Sequence, residues 1–376
     1  MNVLMISPLT PESGSAIQFW SMCRELGKLG HNVYFLERAL FRNQKKTSRN
    51  VRYFRTIDVF PFLPLNILLS LIFNVVVSIF IKADIVFVLK PLPNSCIPAI
   101  MKKLFGAKII LDIDDLDYEF YKNNILKKIM FLFFEVFPRF FDGITFCSRK
   151  LMNYTKDEVK LCKKDIIFRP QGIDYASFQD IEYKKELEEQ LGLGRCNTLV
   201  YLASLGITTA LTVVLEVFKN ICQKRKGVKM LVIGGGNNLN SFIKKSKEIG
   251  IEDKVVFTGF VEHNMVPFYL KLGDIAINYM ELSEANMYRV PIKSREYLAL
   301  GMPVVSNIAG DDLDIAKYLY LCKDAKDFEV TIIDILDGYG DERNLAGKQF
   351  VKENYNWSNI VEDLTSHFNN ILIEKN

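Results

Sequence analysis

The chain has 376 residues, of which 49% are hydrophobic, and its formal net charge is +4. This length exceeds that of a typical single domain and suits two domains, each with its own core. Nucleic-acid-binding proteins carry a strong basic excess, so the near balance of charge argues against that class and predicts no nucleic-acid partner.

Cysteine usage and the N-terminal residues bear on the cellular compartment. The sequence contains no CxxC pair, so neither a zinc site nor a disulfide framework is predicted. Isolated cysteines are typical of a reducing compartment. The first residues, MNVLMIS, pass directly into a predicted strand without the pattern of a signal peptide. We therefore expect a cytoplasmic protein without a metal site. The isolated cysteines are Cys23, Cys96, Cys147, Cys162, Cys196, Cys222 and Cys322.

The N-terminal residues predict a βαβ unit. Val3 to Ile6 and Val33 to Leu36 are short apolar runs, and Ile17 to Leu29 between them has apolar residues at helical spacing. The loop after the first run lies at the carboxyl end of a predicted parallel strand, where ligands bind in such sheets. Gly14 in this loop is a candidate phosphate contact, although a glycine there could serve the turn alone.

Residues Phe60 to Ile81 form the most hydrophobic run in the sequence. Asn66, Ser70, Asn74 and Ser78 recur in it at every fourth position, which places them in one row on a helix. We expect a buried helix packed against the sheet, with a helix lying in a bilayer surface as the alternative. A membrane span is disfavoured, because the residues after Lys82, ADIVFVL, predict a strand.

Carboxylates follow the next predicted strand, Lys108 to Leu111. Asp112, Asp114, Asp115 and Asp117 come at the end of this buried run, where active-site residues gather in parallel α/β sheets. A solvated loop is the alternative.

The segment from Tyr121 to Phe141 combines repeated phenylalanines with Lys122, Lys127, Lys128 and Arg139. Basic residues beside exposed aromatic side chains suit an anionic membrane surface. Core packing could explain part of the phenylalanine content. We expect this segment to dock on a membrane.

The second half predicts another Rossmann-like domain after a linker that ends near Asn197. Thr198 to Ala203 is its first predicted strand, and Ser204-Leu205-Gly206 is the loop that follows. Lys229 to Ile233 is a further predicted strand, and the three glycines after it allow a close approach to a ligand or simply a tight turn. Val255 to Thr258 and Asp274 to Asn278 are later strands of the same domain.

Residues Pro291 to Ser306, PIKSREYLALGMPVVS, predict a short helix that leads into a strand. Proline suits the start of a helix, Gly301 can take the left-handed conformation that ends one, and Pro303 prevents its continuation. Free N–H groups and the helix dipole attract phosphate to the N-terminus. Glu296 lies near enough to accept hydrogen bonds from hydroxyls of the same ligand. An ordinary surface helix with an exposed glutamate is the alternative.

Within that stretch, EYLALGMPVVS resembles a segment of the GT-B glycosyltransferases, especially family 4 (group 1), that reads Glu, small or apolar residues, Gly, Pro and Val-Val. Gly30-His31 before the second strand and the PQGID segment from Pro170 to Asp174 also resemble parts of this family. The resemblance spans nearly the whole chain. It implies an α/β GT-B fold with two Rossmann-like, doubly wound domains that face a cleft.

The resemblance also implies a division of labour between the two domains. Residues 1–178, completed by a C-terminal helix at about 358–376, would bind the acceptor. Residues 179–357 would bind the nucleotide sugar.

The same resemblance assigns roles to residues by position. Glu296 would bind the ribose hydroxyls of the donor, while Phe260 and Val261 would contact its base. Asp114 and Asp115 are the candidates for a catalytic side chain that faces the reacting sugar. The other candidates for donor binding are Gly14, Ser204, Gly206, Gly235, Tyr288, Arg289 and Lys293.

Two positions depart from the family pattern. The family usually has a second glutamate where this chain has Tyr288, and a basic pair after the loop that ends at Gly206, where this chain reads ITTA. Because a diphosphate needs charged partners, the positive charge would come from Arg289, Lys293 or Arg295.

The expected activity is transfer of a sugar from a UDP- or GDP-linked donor to an acceptor hydroxyl, without a metal or other cofactor and with retention of configuration. The acceptor would be a glycan or a lipid-linked molecule in the synthesis of a bacterial surface glycan or glycolipid, with the inner face of the membrane as a second location. The alternatives are a non-catalytic relative that binds a glycan or protein partner, and a GT-B epimerase acting on a sugar nucleotide.

Overall fold

The computed structural model describes residues 1–40, 46–160, 165–194, 196–206, 210–340 and 342–373. The chain divides into two compact units. The first contains Met1–Gly172 and Trp357–Asn376, and the second contains Ile173–Asn356. Each has a parallel sheet with flanking helices, which confirms the predicted α/β class with two Rossmann-like units.

A parallel sheet forms the centre of the first unit. In the described residues it has seven strands, in the order β3-β2-β1-β4-β5-β6-β7. Its inner strands are short apolar runs buried on both faces, as helices on both sides of a parallel sheet require. The strands are β1 (Asn2–Ser7), β2 (Asn32–Ala39), β3 (Val51–Ile57), β4 (Ile85–Leu89), β5 (Lys108–Ile113), β6 (Gly143–Phe146) and β7 (Asp165–Phe168).

Helices connect these strands and cover the sheet. Asn123 caps the fourth helix by accepting hydrogen bonds from the N–H groups of Ile125 and Leu126, and Ser148 caps the fifth through the N–H of Leu151. The helices are α1 (Gly14–Lys28), α2 (Leu63–Phe80), α3 (Pro93–Leu104), α4 (Asn124–Val136) and α5 (Arg149–Val159).

The structure contradicts the expectation that residues 60–81 form a buried helix, because most of α2 is not buried. Its buried residues are the polar row Asn66, Ser70, Asn74 and Ser78, and its apolar side is exposed. Side-chain hydrogen bonds explain this orientation, because Asn74 Nδ2 donates to Asn94 O of α3 at 2.8 Å. Among the described residues, α2 alone is long and apolar enough to cross a membrane, judged by length and composition, and 22% of it is buried.

A second parallel sheet forms the centre of the second unit. Six strands, counted within the described residues, lie in the order β10-β9-β8-β11-β12-β13. They are β8 (Asn197–Leu202), β9 (Val228–Ile233), β10 (Val255–Phe257), β11 (Ile275–Asn278), β12 (Val304–Asn307) and β13 (Tyr320–Cys322).

Two apolar layers cover the faces of this sheet. One is centred on Phe218 and Phe328, and the other on Tyr297 and Val351. The helices are α6 (Lys185–Gln190), α7 (Leu211–Lys224), α8 (Leu239–Glu248), α9 (Val266–Leu270), α10 (Glu284–Met287), α11 (Ile292–Ala299), α12 (Ala325–Leu336) and α13 (Arg343–Asn354).

The final helix, α14 (Trp357–Ile373), belongs to the core of the first unit. The Phe368 ring lies 5.5 Å from that of Phe87 in β4. A Cβ on Gly172 would lie 2.6 Å from the ring of Trp357, so a glycine allows the chain to pass close to this helix.

Both sheets have a point at which the strand order reverses, between β1 and β4 in the first unit and between β8 and β11 in the second. Ligands of open parallel sheets bind beyond the carboxyl ends of the strands at such a point.

Candidate functional site

The carboxyl ends of β4 and β5 bring a lysine and three carboxylates together. Lys90 follows β4 with a φ of 60°, and its N–H donates to Asp112 O at 2.8 Å. Its Nζ lies 2.8 Å from Asp114 Oδ1, 2.7 Å from Asp117 Oδ1 and 3.7 Å from Asp115 Oδ2. Lys90, Asp114, Asp115 and Asp117 are called the Lys90 cluster below. The predicted candidates Asp114 and Asp115 therefore surround one buried ammonium group.

Burial and charge set the protonation of the Lys90 cluster. Burial would lower the pKa of Lys90, but the three carboxylates hold that pKa well above its usual value. Burial would raise the pKa of Asp114, yet Lys90 holds it below the usual value. Burial raises the pKa of Asp117 to about 7, despite the attraction of Lys90 and with repulsion from Asp114 and Asp115. Asp117 therefore gains or loses its proton near neutral pH while Asp114 stays ionised.

A second ion pair fixes the end of β5 beside this cluster. Asp112 accepts hydrogen bonds from Arg169 Nη2 and Nε, both at 3.1 Å, and from the Thr145 hydroxyl at 2.5 Å. The side chains of Asp112 and Arg169 are buried. Because the pairing is bidentate, it holds the backbone that carries Asp114 in one position.

The structure places Gly14 at the first position of α1 rather than in a loop, and this first turn lies next to the Lys90 cluster. The Ser15 side chain hydrogen-bonds to Asp114. A Cβ on Gly14 would meet no atom within 4 Å, and its φ lies outside the left-handed region. Local geometry therefore does not require glycine here, and the space beside its backbone is open.

In the second unit, glycines allow the loops after β8 and β9 to pack together. Gly234 has a φ of +129°, and a Cβ there would clash with Ala203 O. A Cβ on Gly235 would lie 2.9 Å from Phe260 N. Leu205 N–H also donates to Gly235 O at 2.9 Å. This close packing is by itself a reason for the glycines, so Gly235 stays a binding candidate by its position alone.

The other loop candidates lie near the same strand ends. Phe260 is 84% exposed, whereas Val261 packs partly against the apolar core. Ser204 is exposed, and the Gly206 carbonyl accepts a hydrogen bond from Asn238 Nδ2 at 3.1 Å. The residues after Gly206 that lack a basic pair include 207–209, which lie outside the described part of the chain.

The predicted helix and strand around Glu296 are confirmed as α11 and β12, with Gly301 at a φ of +74° after the helix. Within the described residues, α11 has no side-chain N-cap, so its first N–H groups are available to a ligand.

The surface-helix alternative is wrong, because the residues from Ser294 to Ala299 are all buried. Glu296 itself is 4% exposed, and its Oε2 lies 3.1 Å from Lys293 Nζ. The glutamate is therefore a buried group paired with a lysine.

Arg295 does not suit the expected role of neutralising a diphosphate. Its guanidinium is buried and lies 2.7 Å from Asp312 Oδ1 and 3.2 Å from Asp314 Oδ1, with its face toward the ring of Tyr355. An arginine held between two carboxylates has little charge left for a ligand. The spacing of the sequence could not distinguish it from the partly exposed Lys293, because the carboxylates come from a loop about twenty residues later.

Polar side chains link α11 to the ends of β11 and β12. Asn278 Nδ2 donates to Ser294 Oγ at 2.9 Å and to Ser306 Oγ at 3.1 Å, and Ser294 Oγ donates to Asp312 Oδ2 at 3.1 Å. Burial raises the pKa of Asp312 to about 6, against the attraction of Arg295. These contacts fix the start of α11 relative to the sheet.

Tyr288 and Arg289 lie half-buried on the segment that precedes α11. Arg289 Nη1 lies 3.4 Å from Asn286 Oδ1, and Arg289 O accepts a hydrogen bond from the N–H of Asp311. The backbone at Arg289 is thus tied to the loop after β12.

Lys90 is the main site residue that the sequence interpretation missed. The signal was present in its position directly after the buried run IVFVL, at the carboxyl end of a strand. A charged residue there lies at the same edge of the sheet as the aspartates after β5. The register of β4 against β5 pairs Leu89 with Asp112 and so places Lys90 beside the aspartates that follow.

Comparison with known proteins agrees with this geometry. Residues 184–349, a little under half of the chain, match the family Glycosyl transferases group 1. The chain is 27% identical over 184 residues to alpha-monoglucosyldiacylglycerol synthase of Streptococcus pneumoniae, a match that covers 47% of this chain and 41% of that protein. The match therefore spans about two fifths of that relative.

Solved structures share the whole fold. Sucrose-phosphate synthase from Thermosynechococcus elongatus matches with a TM-score of 0.81 and 13% identity, covering all of both chains. Anabaena HepE in complex with UDP and glucose matches with a TM-score of 0.77 and 12% identity, covering 98% of this chain and 100% of HepE. The whole chain therefore has the GT-B fold, and its residues 184–349 are similar to the group 1 glycosyltransferases.

Proposed function

We propose that this protein is a glycosyltransferase that moves a sugar from a nucleotide-sugar donor to an acceptor hydroxyl. The proposal rests on one observation. The helix α11 has an uncapped N-terminus at the carboxyl edge of a parallel sheet, and the same helix carries the buried Glu296. Both lie inside the segment that matches the group 1 family. The second unit would bind the donor and the first unit the acceptor.

Each part of the donor has a proposed partner in the second unit. The ribose hydroxyls bind Glu296, the base lies against Phe260 and Val261, and the diphosphate lies at the N-terminus of α11 near Lys293. Backbone N–H groups and an ammonium suit the charge that develops on a departing diphosphate. Ser204, Gly206, Gly235, Tyr288 and Arg289 complete the proposed surroundings of the donor.

A UDP-linked donor is our first choice, supported by the likeness to a protein crystallised with UDP and glucose, and a GDP-linked donor is the alternative. Transfer breaks the bond between the anomeric carbon and the diphosphate oxygen and forms a bond to the acceptor oxygen, which loses its proton. We propose retention of configuration, without a metal.

The Lys90 cluster is the proposed acceptor side of the reaction. Asp114 and Asp115 would hold hydroxyl groups of the reacting sugars, and the first turn of α1, with Gly14, contacts Asp114 through Ser15. Lys90 would act as a positioning residue, because its ammonium group at the end of β4 holds the carboxylate of Asp114 in place.

The acceptor is proposed to be a glycan or a lipid-linked molecule, used in the synthesis of a surface glycan or glycolipid. The name of the pneumococcal relative, a synthase of a glucosylated diacylglycerol, supports the lipid. A cytoplasmic location at the inner face of an anionic membrane fits such an acceptor.

Titration calorimetry with UDP, UDP-glucose and GDP tests the donor site. We expect Glu296→Ala to weaken binding of the preferred nucleotide sugar about 10- to 100-fold, because a buried carboxylate that accepts hydroxyl hydrogen bonds contributes about 1.5–3 kcal/mol. The exposed Glu252→Ala variant should bind as the wild type does. Equal affinity in wild type and Glu296→Ala, or no binding of any of the three at millimolar concentration, would contradict the proposal.

A non-catalytic binding protein is the second candidate. It is favoured by Tyr288 in place of the second family glutamate and by the engagement of Arg295 with Asp312. Donor turnover in the presence of membrane lipid extracts separates the two candidates. Release of UDP that ceases in Glu296→Ala supports the transferase, whereas tight donor binding without turnover supports the binding protein.

A further inference from the structure

The exposed side of α2 is an apolar surface that the proposed reaction does not use. Ile72 is 54% exposed and Val76 is 48% exposed, and other large apolar side chains lie on the same side at helical spacing. A run of exposed large apolar side chains along one side of a helix is typical of an interaction site. The apolar residues of α2 and its two ends that are exposed are Phe62, Leu63, Leu65, Leu68, Ile72, Val76, Ile79 and Phe80.

Further exposed apolar residues lie at the end of α3, which contacts the end of α2, and in the segment of α4. Lys102 Nζ donates to Ile81 O and Lys103 Nζ donates to Phe140 O, both at 2.8 Å. The last turn of α3 therefore contacts the end of α2 and the end of the segment that follows α4. Exposed apolar residues of these two further segments are Leu104, Phe105, Ile125, Leu126, Ile129, Leu132, Val136 and Phe140. The exposed residues of the three segments are called the apolar face below.

Positive charge accompanies the apolar face. Residues 62–82, 101–105 and 121–141 contain seven basic residues and one acidic residue, a net charge of +6, whereas the whole chain carries +4. The rest of the chain is therefore slightly acidic. Within the described residues, Lys82, Lys122 and Lys128 are exposed and form no ion pair. Apolar side chains flanked by such lysines complement a bilayer with anionic headgroups.

The packing of α2 favours a position in the bilayer surface over a span. Its polar row faces the protein, where Asn94 Nδ2 donates to Ser70 Oγ at 3.3 Å and Asn66 bonds the backbone at Val59 and Phe60. A span would have to break these hydrogen bonds and place the polar row in lipid, which is costly. Contact with a bilayer surface needs no such change.

We propose that the apolar face is a membrane-docking surface, with α2 lying in the interface of an anionic bilayer, its polar row toward the protein and its apolar side toward the lipid. The surface would hold the first unit, which carries the proposed acceptor site, against the membrane. The purpose of docking, to bring the first unit to a lipid-linked acceptor, rests on the proposed function. The contact with the bilayer does not.

Vesicle co-sedimentation tests the docking surface. The full chain is mixed with vesicles of phosphatidylcholine alone or with phosphatidylglycerol added. We expect binding to the anionic vesicles and a partition at least ~10-fold weaker for the double variant Ile72→Glu with Val76→Glu, because two carboxylates would enter the apolar part of the interface. The matched control is Leu345→Glu with Val330→Glu, residues of the second unit that are 53% and 44% exposed. It should bind vesicles as the wild type does.

Three outcomes would overturn the proposal: a wild type that stays in the supernatant with anionic vesicles, equal losses in the α2 variant and its control, or a dimer that the α2 variant dissociates while vesicle binding is absent. Circular dichroism and thermal unfolding establish that the variants are folded. Donor affinity is measured on the same variants. Unchanged affinity with lost vesicle binding separates a failure of docking from a failure of the proposed transferase activity.

Discussion

Lys90 and Asp117 illustrate how single residues in this protein depend on their neighbours. Lys90 remains charged although it is buried, because three carboxylates surround it. Asp117, one of these carboxylates, has a pKa of about 7. The cluster can therefore keep one carboxylate ionised and another in exchange with solvent protons. These are suitable properties for a site that binds sugar hydroxyls.

The raised pKa of Asp117 predicts a pH dependence of stability. Asp117 binds a proton with a pKa of about 7 in the folded protein and near 3.8 when unfolded, so its folded form keeps more protons between these values. The free energy of unfolding should therefore fall as pH rises through this window. Between pH 5 and pH 8, the free energy of unfolding of Asp117→Asn should fall by about 2–3 kcal/mol less than that of the wild type. Urea unfolding of both proteins at several pH values checks this, and parallel pH profiles would contradict it.

At the scale of elements, apolar residues form the interiors of the sheets, whereas the loops at the strand ends need particular residues at their points of contact. The apolar run IVFVL of β4 is buried along its whole length, but the loops after β8 and β9 fit together only because glycines occupy the points of contact. The helix α2 shows the same distinction, since a few side-chain hydrogen bonds decide which of its sides faces the protein.

Gly234→Ala should destabilise the second unit. The positive φ and the clash of the new Cβ with Ala203 O should together cost about 2–4 kcal/mol. Gly206→Ala is the matched control, because a Cβ there meets no atom within 4 Å, and it should cost less than about 0.5 kcal/mol. Denaturant unfolding of the two variants measures the difference, and similar costs for both would refute the packing explanation.

At the scale of the whole molecule, the chain leaves the first unit at Gly172 and returns to it at Trp357. The last helix supplies part of the core of the first unit, including Trp357 and Phe368. The first unit is therefore complete only when α14 has been made.

Removal of the Trp357 side chain tests how much α14 contributes to the stability of the first unit. Trp357 is 2% exposed, so Trp357→Ala should lower the free energy of unfolding by about 3–5 kcal/mol. Tyr339→Ala, which removes a ring that is 79% exposed, should change it by less than about 0.5 kcal/mol. Equilibrium unfolding followed by circular dichroism compares them, and a small effect of Trp357→Ala would show that α14 contributes little.

The sequence by itself determined most of the inner sheet strands, the helix and strand around Glu296, and the resemblance to a group 1 glycosyltransferase, but it did not indicate β3 or β13. These features rest on local patterns: apolar runs, a glycine after a helix, and a short motif in the right order. They do not depend on which distant residues meet.

Only the tertiary structure decided which polar groups are paired and which side of α2 is buried. Arg295 is occupied by aspartates of a later loop, Lys90 is surrounded by aspartates of the next strand, and Asn74 turns the polar side of α2 inward through Asn94. Hydrogen bonds and ion pairs between residues far apart in the chain leave no periodic trace in the sequence. The free energy of these contacts nevertheless sets the orientation of a helix and the charge of a site.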